Sequence, residues 1–231
     1  MLIAKAVSGS RLHGTYSEES DYDYRGVFFA PVNQILGSYK RIPFVKEAEH
    51  DTVLWELQFF MQMCSQNTSN AMDVLYTPDN FLVHSTPFWD MVQRSKGVFV
   101  SQRYILETLR HKRAAVRELE RYESLILTDA HRRERIFKNC SHVIRLLVQC
   151  KTLIETGGYN PSFSTYIQTI KNVKNSRCSV AEVRNLLEEF ELILPNYKSL
   201  PREVNLAEVN KLTEILTRRY INDFSSYPDL Q

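Results

Sequence analysis

The sequence lacks any long apolar run: no segment approaches the roughly 20 residues that a membrane span needs, so no membrane association is expected. Cysteine is scarce, and Cys64, Cys140, Cys150 and Cys178 show no CxxC spacing. They read as reduced core thiols rather than metal ligands or nucleophiles. An excess of one charge is also missing. Lys and Arg number 29 against 27 Asp and Glu, a net charge of +2, so contact with nucleic acid must come from local patches. No basic leader with a small-residue cleavage site follows Met1, which makes a cytoplasmic protein the expectation. Internal repeats and low-complexity tracts are absent as well.

What is present suits a packed globular chain. Its 231 residues are 43% hydrophobic and 11% aromatic, enough for one good core or two small ones. The pattern shifts near residue 85. Before it, Leu2 to Val7, Tyr22 to Ala30 and Ile42 to Leu54 read as extended runs, the last broken by Pro43. Leu54, Leu57, Phe60, Met61 and Cys64 then recur at helical spacing, and a short helix through Ala71 to Tyr76 ends at Pro78. After residue 85 the signal is almost wholly helical: Val98 to Tyr122, Arg132 to Thr156 stopped by Gly157-Gly158, Ser179 to Leu194, and Asn205 to Phe224. Asn205 with Glu208 fits a capping box. The expectation is therefore an α+β chain, with residues 1–85 as a small mixed-sheet domain and 86–231 as a helical bundle.

The stretch "SGSRLHGTYSEESDYDYRGVFF", Ser8 to Phe29, concentrates the chemistry. Gly9-Ser10 follows the first apolar run, and the residues up to about Ser17 can open a helix. A small-residue turn there lets backbone N–H groups approach an anion. Asp21 and Asp23 stand one residue apart at the start of a strand-like run, on one face and about 6–7 Å apart along the chain. Tyr22, Tyr24 and Val27 are expected to face elsewhere. Two same-face carboxylates repel unless a proton or cation lies between them, and Mg²⁺ is the natural hard cation for carboxylate and phosphate oxygens. The alternative is a solvated acidic turn.

Gly9-Ser10, a ten-residue spacer and Asp21-Tyr22-Asp23 together resemble the signature of the DNA polymerase β-like nucleotidyltransferase superfamily. "GSRLHG…SDYDYRGVFF" is similar to the predicted bacterial and phage nucleotidyltransferases that include an RNA-repair-associated branch, and "HDTVLWELQFFMQM", His50 to Met63, continues the likeness. The resemblance implies a palm-like catalytic domain and a Mg-dependent transfer of a nucleoside monophosphate from a triphosphate, ATP favoured, to a hydroxyl such as an RNA end. Transfer to a partner protein, or nucleotide sensing without catalysis, are its alternatives. It implies two Mg²⁺ ions, with Mn²⁺ as a substitute, held by Asp21, Asp23 and Asp51, and a triphosphate cradled by Gly9 and Ser10.

Glu47, Glu49 and Asp51 alternate onto one face, so register alone does not choose the third carboxylate, although the resemblance favours Asp51. Arg25 binds phosphate or pairs with an acid. Arg11 and His13 lie near the turn, either as ligands or as exposed helix residues. Lys138, His142 and Arg145 share one helix face, which reads as a basic surface toward triphosphate or nucleic acid, or as a solvated stripe. Arg103, Arg110, Arg113, Arg117 and Arg121, interleaved with Glu107, Glu118 and Glu120, read as a salt-bridged helix surface or an RNA track.

Overall fold

A computed structural model describes residues 1–37, 42–47, 51–162, 165–192, 194 and 197–225. The chain is α+β, with a five-stranded mixed sheet near the N-terminus and helices after it. It forms two compact units, residues 1–99 with 204–231 and residues 100–203.

The first unit is built on β1 (Leu2–Ser8), β2 (Asp23–Phe28), β3 (Phe44–Glu47), β4 (Thr52–Glu56) and β5 (Leu82–Ser85), in the order β3-β4-β2-β1-β5. β2 and β4 are parallel, and the remaining neighbours are antiparallel. The extended run read from Ile42 to Leu54 is thus two strands, and the helix after it, α3 (Leu57–Ser65), begins later than periodicity indicates. The reason is Glu56, whose carboxylate accepts from the backbone N–H groups of Gln58 at 2.9 Å and Phe59 at 3.3 Å. That N-cap sets the strand-to-helix boundary.

Short α1 (Gly9–Leu12) and α2 (Val32–Leu36) lie between strands, and α4 (Ser69–Leu75) and α5 (Pro87–Arg94) follow α3. β5 and α5 pack on β1, which carries the first unit past residue 85 to Phe99. The last helix, α11 (Leu206–Ser225), also belongs to it, packing on α3 and α5. Aromatic rings explain that return. Phe29, at the end of β2, stacks on Tyr220 of α11 with centroids 4.2 Å apart and planes 1° from parallel, and meets Phe88 of α5 edge-on at 5.1 Å. Offset and edge-on ring pairs add to the area they bury. The capping box at the start of α11 forms, with the Glu208 N–H on Asn205 Oδ1 at 3.4 Å.

The second unit contains α6 (Gln102–Arg121), α7 (Glu123–Thr128), α8 (Ala130–Thr156), α9 (Ile167–Lys174) and α10 (Val180–Leu192). Its core is Leu119, Phe137, Ile144, Leu147, Val183 and their neighbours. α8 ends as its glycines dictate, with Gly157 in the left-handed region at φ 69°. Ser179 and Glu182 cap α10 reciprocally, Ser179 N–H to Glu182 Oε2 at 2.6 Å and Glu182 N–H to Ser179 Oγ at 3.2 Å. Burial pushes the Cys64 thiol well up and those of Cys140 and Cys150 to about 12, which agrees with inert core thiols. Among the described residues no helix is long and apolar enough to cross a membrane.

Gly26 is where β1, β2 and β4 approach most closely. A Cβ there would stand 2.5 Å from the backbone oxygen of Ala4 and 2.8 Å from Leu54 Cδ2. Because backbone on β1 cannot yield cheaply, Gly26→Ala should lower stability by about 1–3 kcal/mol, read as a reduced urea midpoint with an unchanged slope.

Candidate functional site

β1 and β2 place the site through their register. Ser8 is paired with Asp23, so the chain leaves β1 at Gly9 directly beside that carboxylate. Gly9 has φ +62°, and a Cβ built on it would lie 2.0 Å from Asp23 Oδ2. Only glycine meets both demands, the left-handed backbone and the contact. The helix opened by this turn is a single turn, ending at Leu12 rather than near Ser17. A second left-handed glycine, Gly14 at φ 70°, releases the chain, and the Thr15 N–H returns to the Ser10 carbonyl at 2.9 Å.

The parallel register of β2 and β4 brings in the next acid. Tyr24 pairs with Thr52, so Asp51 stands beside Asp23. Asp51 itself adopts φ 38°, a left-handed conformation that aspartate tolerates better than most residues. Arg25 fixes it there: Nη2 donates to Asp51 Oδ2 at 3.1 Å and Nη1 donates to the Asp51 carbonyl, while Nη1 also reaches the Tyr24 carbonyl at 2.8 Å. Of the two roles open to Arg25, pairing with an acid is the one observed.

The electrostatics follow. The hydrogen bond and charge of Arg25 hold the Asp51 carboxyl below its ordinary range. Burial raises the Asp23 carboxyl, and the negative charges of Asp51 and Asp21 push it further up against the pull of Arg25. The nearness of the two carboxyl groups acts in the same sense, raising Asp23 and lowering Asp51.

Asp21 is placed by the loop, because β2 starts only at Asp23. It is exposed. Tyr22 and Tyr24 stack with centroids 6.1 Å apart and planes at 15°, so they share a side as expected. Val27 does not join them. By strand alternation it shares the face of Asp23 and Arg25, where it is fully buried opposite Ala4 and Trp55.

Glu47 also departs from the expected alternation. β3 ends at Glu47 and β4 begins at Thr52, so Glu47 and Asp51 do not share a strand. Glu47 pairs with Thr52, which puts it on the Tyr24 face, and Lys5 lies 3.7 Å from its carboxylate. Glu49 lies outside the described residues. Of the two described acids of this run, Asp51 rather than Glu47 is the one beside Asp23.

Arg11 is tied to the loop rather than extended from it. Its Nη2 donates to the Ser20 carbonyl at 2.6 Å and its Nε to the Asp21 carbonyl at 3.3 Å, and its guanidinium lies over the Tyr22 ring at 3.8 Å. His13 is buried, with 6% exposure, and is not an exposed helix residue. Sequence reading left its partner unnoticed, although Asp73, a lone acid within the apolar run Ala71 to Leu75, was the available signal.

Lys138, His142 and Arg145 sit on α8 in the second unit, at the helical spacing expected. Lys138 and His142 are exposed, but Arg145 is 6% exposed and turns inward. It donates to Gln149 Oε1 at 3.1 Å and to His142 Nδ1 at 3.0 Å, and Gln149 also accepts from the Tyr104 hydroxyl at 3.0 Å. On α6 the five arginines are exposed, with Arg110 paired to Glu107.

Among the described residues no three His, Cys, Asp or Glu side chains gather closely enough to form a metal cage. The site offers the Asp23 and Asp51 carboxylates, with Asp21 nearby, beside a glycine turn.

Asp23 carries a measurable signature of this crowding. Its carboxyl is raised above the ordinary 3.8, so its ionisation disfavours the folded state. Asp23→Asn should therefore be more stable than the native protein in metal-free buffer at neutral pH. The gain should vanish as pH falls below the carboxylate range, where Asp23 is neutral whether folded or unfolded. Urea denaturation across pH 3–7 checks the sign, and a loss of stability at neutral pH would contradict it.

Comparison with known proteins adds the lineage. No solved structure matches the chain. An uncharacterized 38.9 kDa protein in the nrdC-mobD intergenic region of Enterobacteria phage T4 is 27% identical over 109 residues, covering 42% of this chain and 32% of that protein. The chain thus spans about a third of that relative's length. The model of the RNA repair pathway DNA polymerase beta family matches residues 2–208, nearly the whole sequence. With its glycine turn, paired acids and mixed sheet, the chain belongs to that family.

Proposed function

We propose that the protein is a Mg-dependent nucleotidyltransferase that moves a nucleoside monophosphate from a triphosphate, ATP favoured, to a hydroxyl acceptor, with an RNA end as the acceptor. The observation that carries this reading is the contact of Gly9 with Asp23 while Asp51 lies against the same carboxylate. The family description, which names an RNA repair pathway, supports the choice of acceptor.

The donor set suits Mg²⁺. All candidate ligands are carboxylate oxygens, and the crowding of Asp51 and Asp21 on Asp23 marks a place where a cation would relieve their repulsion. Mg²⁺ commonly takes one or two carboxylates and completes its shell with water and substrate phosphates, so a full protein cage is not required. Asp23 and Asp51 would hold it, with Asp21 as a further ligand, and Mn²⁺ would substitute. When bound, the metal neutralises phosphate charge and stabilises the attacking and leaving oxygens.

The chain's own residues do the rest. The Gly9-Ser10 turn receives the triphosphate, using backbone close approach and the Ser10 hydroxyl. Arg25 orients Asp51 and keeps it ionised, ready to accept the proton of the incoming hydroxyl. That oxygen bonds to the α-phosphorus as the bond from phosphorus to the bridging α–β oxygen breaks, and pyrophosphate departs. In-line alignment and charge stabilisation account for the rate, as in phosphoryl transfer generally.

The test is transfer of label from each α-labelled triphosphate, with Mg²⁺, to RNA with a free 3′ hydroxyl and to protein. RNA should be labelled. Asp21→Ala/Asp23→Ala should lose about a thousandfold in rate, the several kcal/mol that bound metal supplies. Label on protein alone would redirect the acceptor, and saturable binding without any transfer would overturn the enzyme reading. Gly9→Ala, which drives a methyl into Asp23, should weaken binding of the Mg-triphosphate complex in equilibrium titration.

A further inference from the structure

A buried polar pair lies beneath the glycine turn. His13 Nε2 is 3.4 Å from Asp73 Oδ2, with the side chains only 7% and 4% exposed. Asp73 sits in α4 among Ala71, Met72, Val74 and Leu75, none more than 1% exposed. His13 caps α1, and its backbone N–H donates to the Gly9 carbonyl at 3.2 Å.

Burying this pair is a poor way to gain stability. Apolar residues of similar volume usually serve a core as well or better, whereas losing one member of a buried pair is costly. The location suggests what the pair does instead. α1 is four residues long and hangs between two left-handed glycines, Gly9 at φ +62° and Gly14 at φ 70°. Glycine hinges carry no side chains to fix the piece between them. Its orientation rests on Leu12 in the core, on Arg11 clasping the Ser20 and Asp21 carbonyls, and on His13 bound to α4. The tolerance is narrow, since the position of a Gly9 Cβ is already 2.0 Å from Asp23 Oδ2.

We propose that the His13–Asp73 pair positions the Gly9-Ser10 turn against Asp23, so that it governs how well the site holds a Mg-triphosphate rather than how stable the fold is. This rests on the reading of the turn as the triphosphate cradle. Neither residue touches substrate; both act through α1. A shift of about 1 Å in a positioning element can cost on the order of a hundredfold.

The test compares His13→Leu/Asp73→Leu, which keeps an apolar filling, with His13→Gln, which keeps a donor toward Asp73. Three quantities are measured on the full chain: the melting temperature, amide hydrogen exchange of residues 9–15, and affinity for the Mg²⁺ complexes of ATP, CTP, GTP and UTP. The double leucine variant should melt as the native protein does, exchange faster in residues 9–15 alone, and bind triphosphate at least about tenfold more weakly. His13→Gln should recover most of the affinity. Native affinity in the double variant, or an affinity loss that merely follows its melting temperature, would overturn the proposal. If the native protein binds none of the four, the cradle reading fails, and the proposal fails with it. Unchanged exchange in residues 9–15 of the double variant would overturn the positioning role alone.

Discussion

The contact between a backbone without a side chain and a carboxylate organises the first unit. Gly9 can stand against Asp23 because β1 and β2 are paired with Ser8 opposite Asp23. That pairing is itself held by burial, since Ala4, Ala6 and Val27 lie within the core at 1% exposure or less. A slip of one residue would turn those side chains outward and move the glycine off the acid together, so core and site are fixed by one register. The parallel partner β4 then delivers Asp51, and Arg25 holds it in a backbone conformation that few residues would adopt.

Local chemistry was legible in the sequence, and long-range pairing much less so. The glycine turn, the acid pair and the helix caps depend on neighbours within a few residues, and Gly157, Ser179-Glu182 and Asn205-Glu208 behave as their residue types require. Glu47 was misplaced because alternation was carried across a strand boundary that pairing with another strand sets, whereas Val27 lies within β2, where alternation itself puts it on the Asp23 face. β5 escaped notice because four residues with an exposed, irregular pattern carry little periodic signal. Arg145 was read as part of a basic face, yet helical spacing does not say which of three neighbours turns toward Gln149.

Electrostatics in the site divide the work between acids of one residue type. Arg25 favours the ionised form of Asp51, while burial and crowding disfavour that of Asp23. Sequence spacing treats such carboxylates as equivalent. Their surroundings favour charge on one and penalise it on the other, a distinction that only the folded arrangement creates.

The return of α11 to the sheet has a consequence for how the protein is made. Phe29 leaves the ribosome before Tyr220, with the whole second unit between them, yet their rings stack within the same core. The second unit, residues 100–203, is a continuous stretch and can acquire its core as synthesis proceeds. The unit carrying the acids is split in sequence, so the nascent chain must keep an unfinished aromatic surface until α11 arrives. Closing that long loop is entropically slow relative to local contacts. The acids therefore gain their finished scaffold only after residues 100–203 have been made.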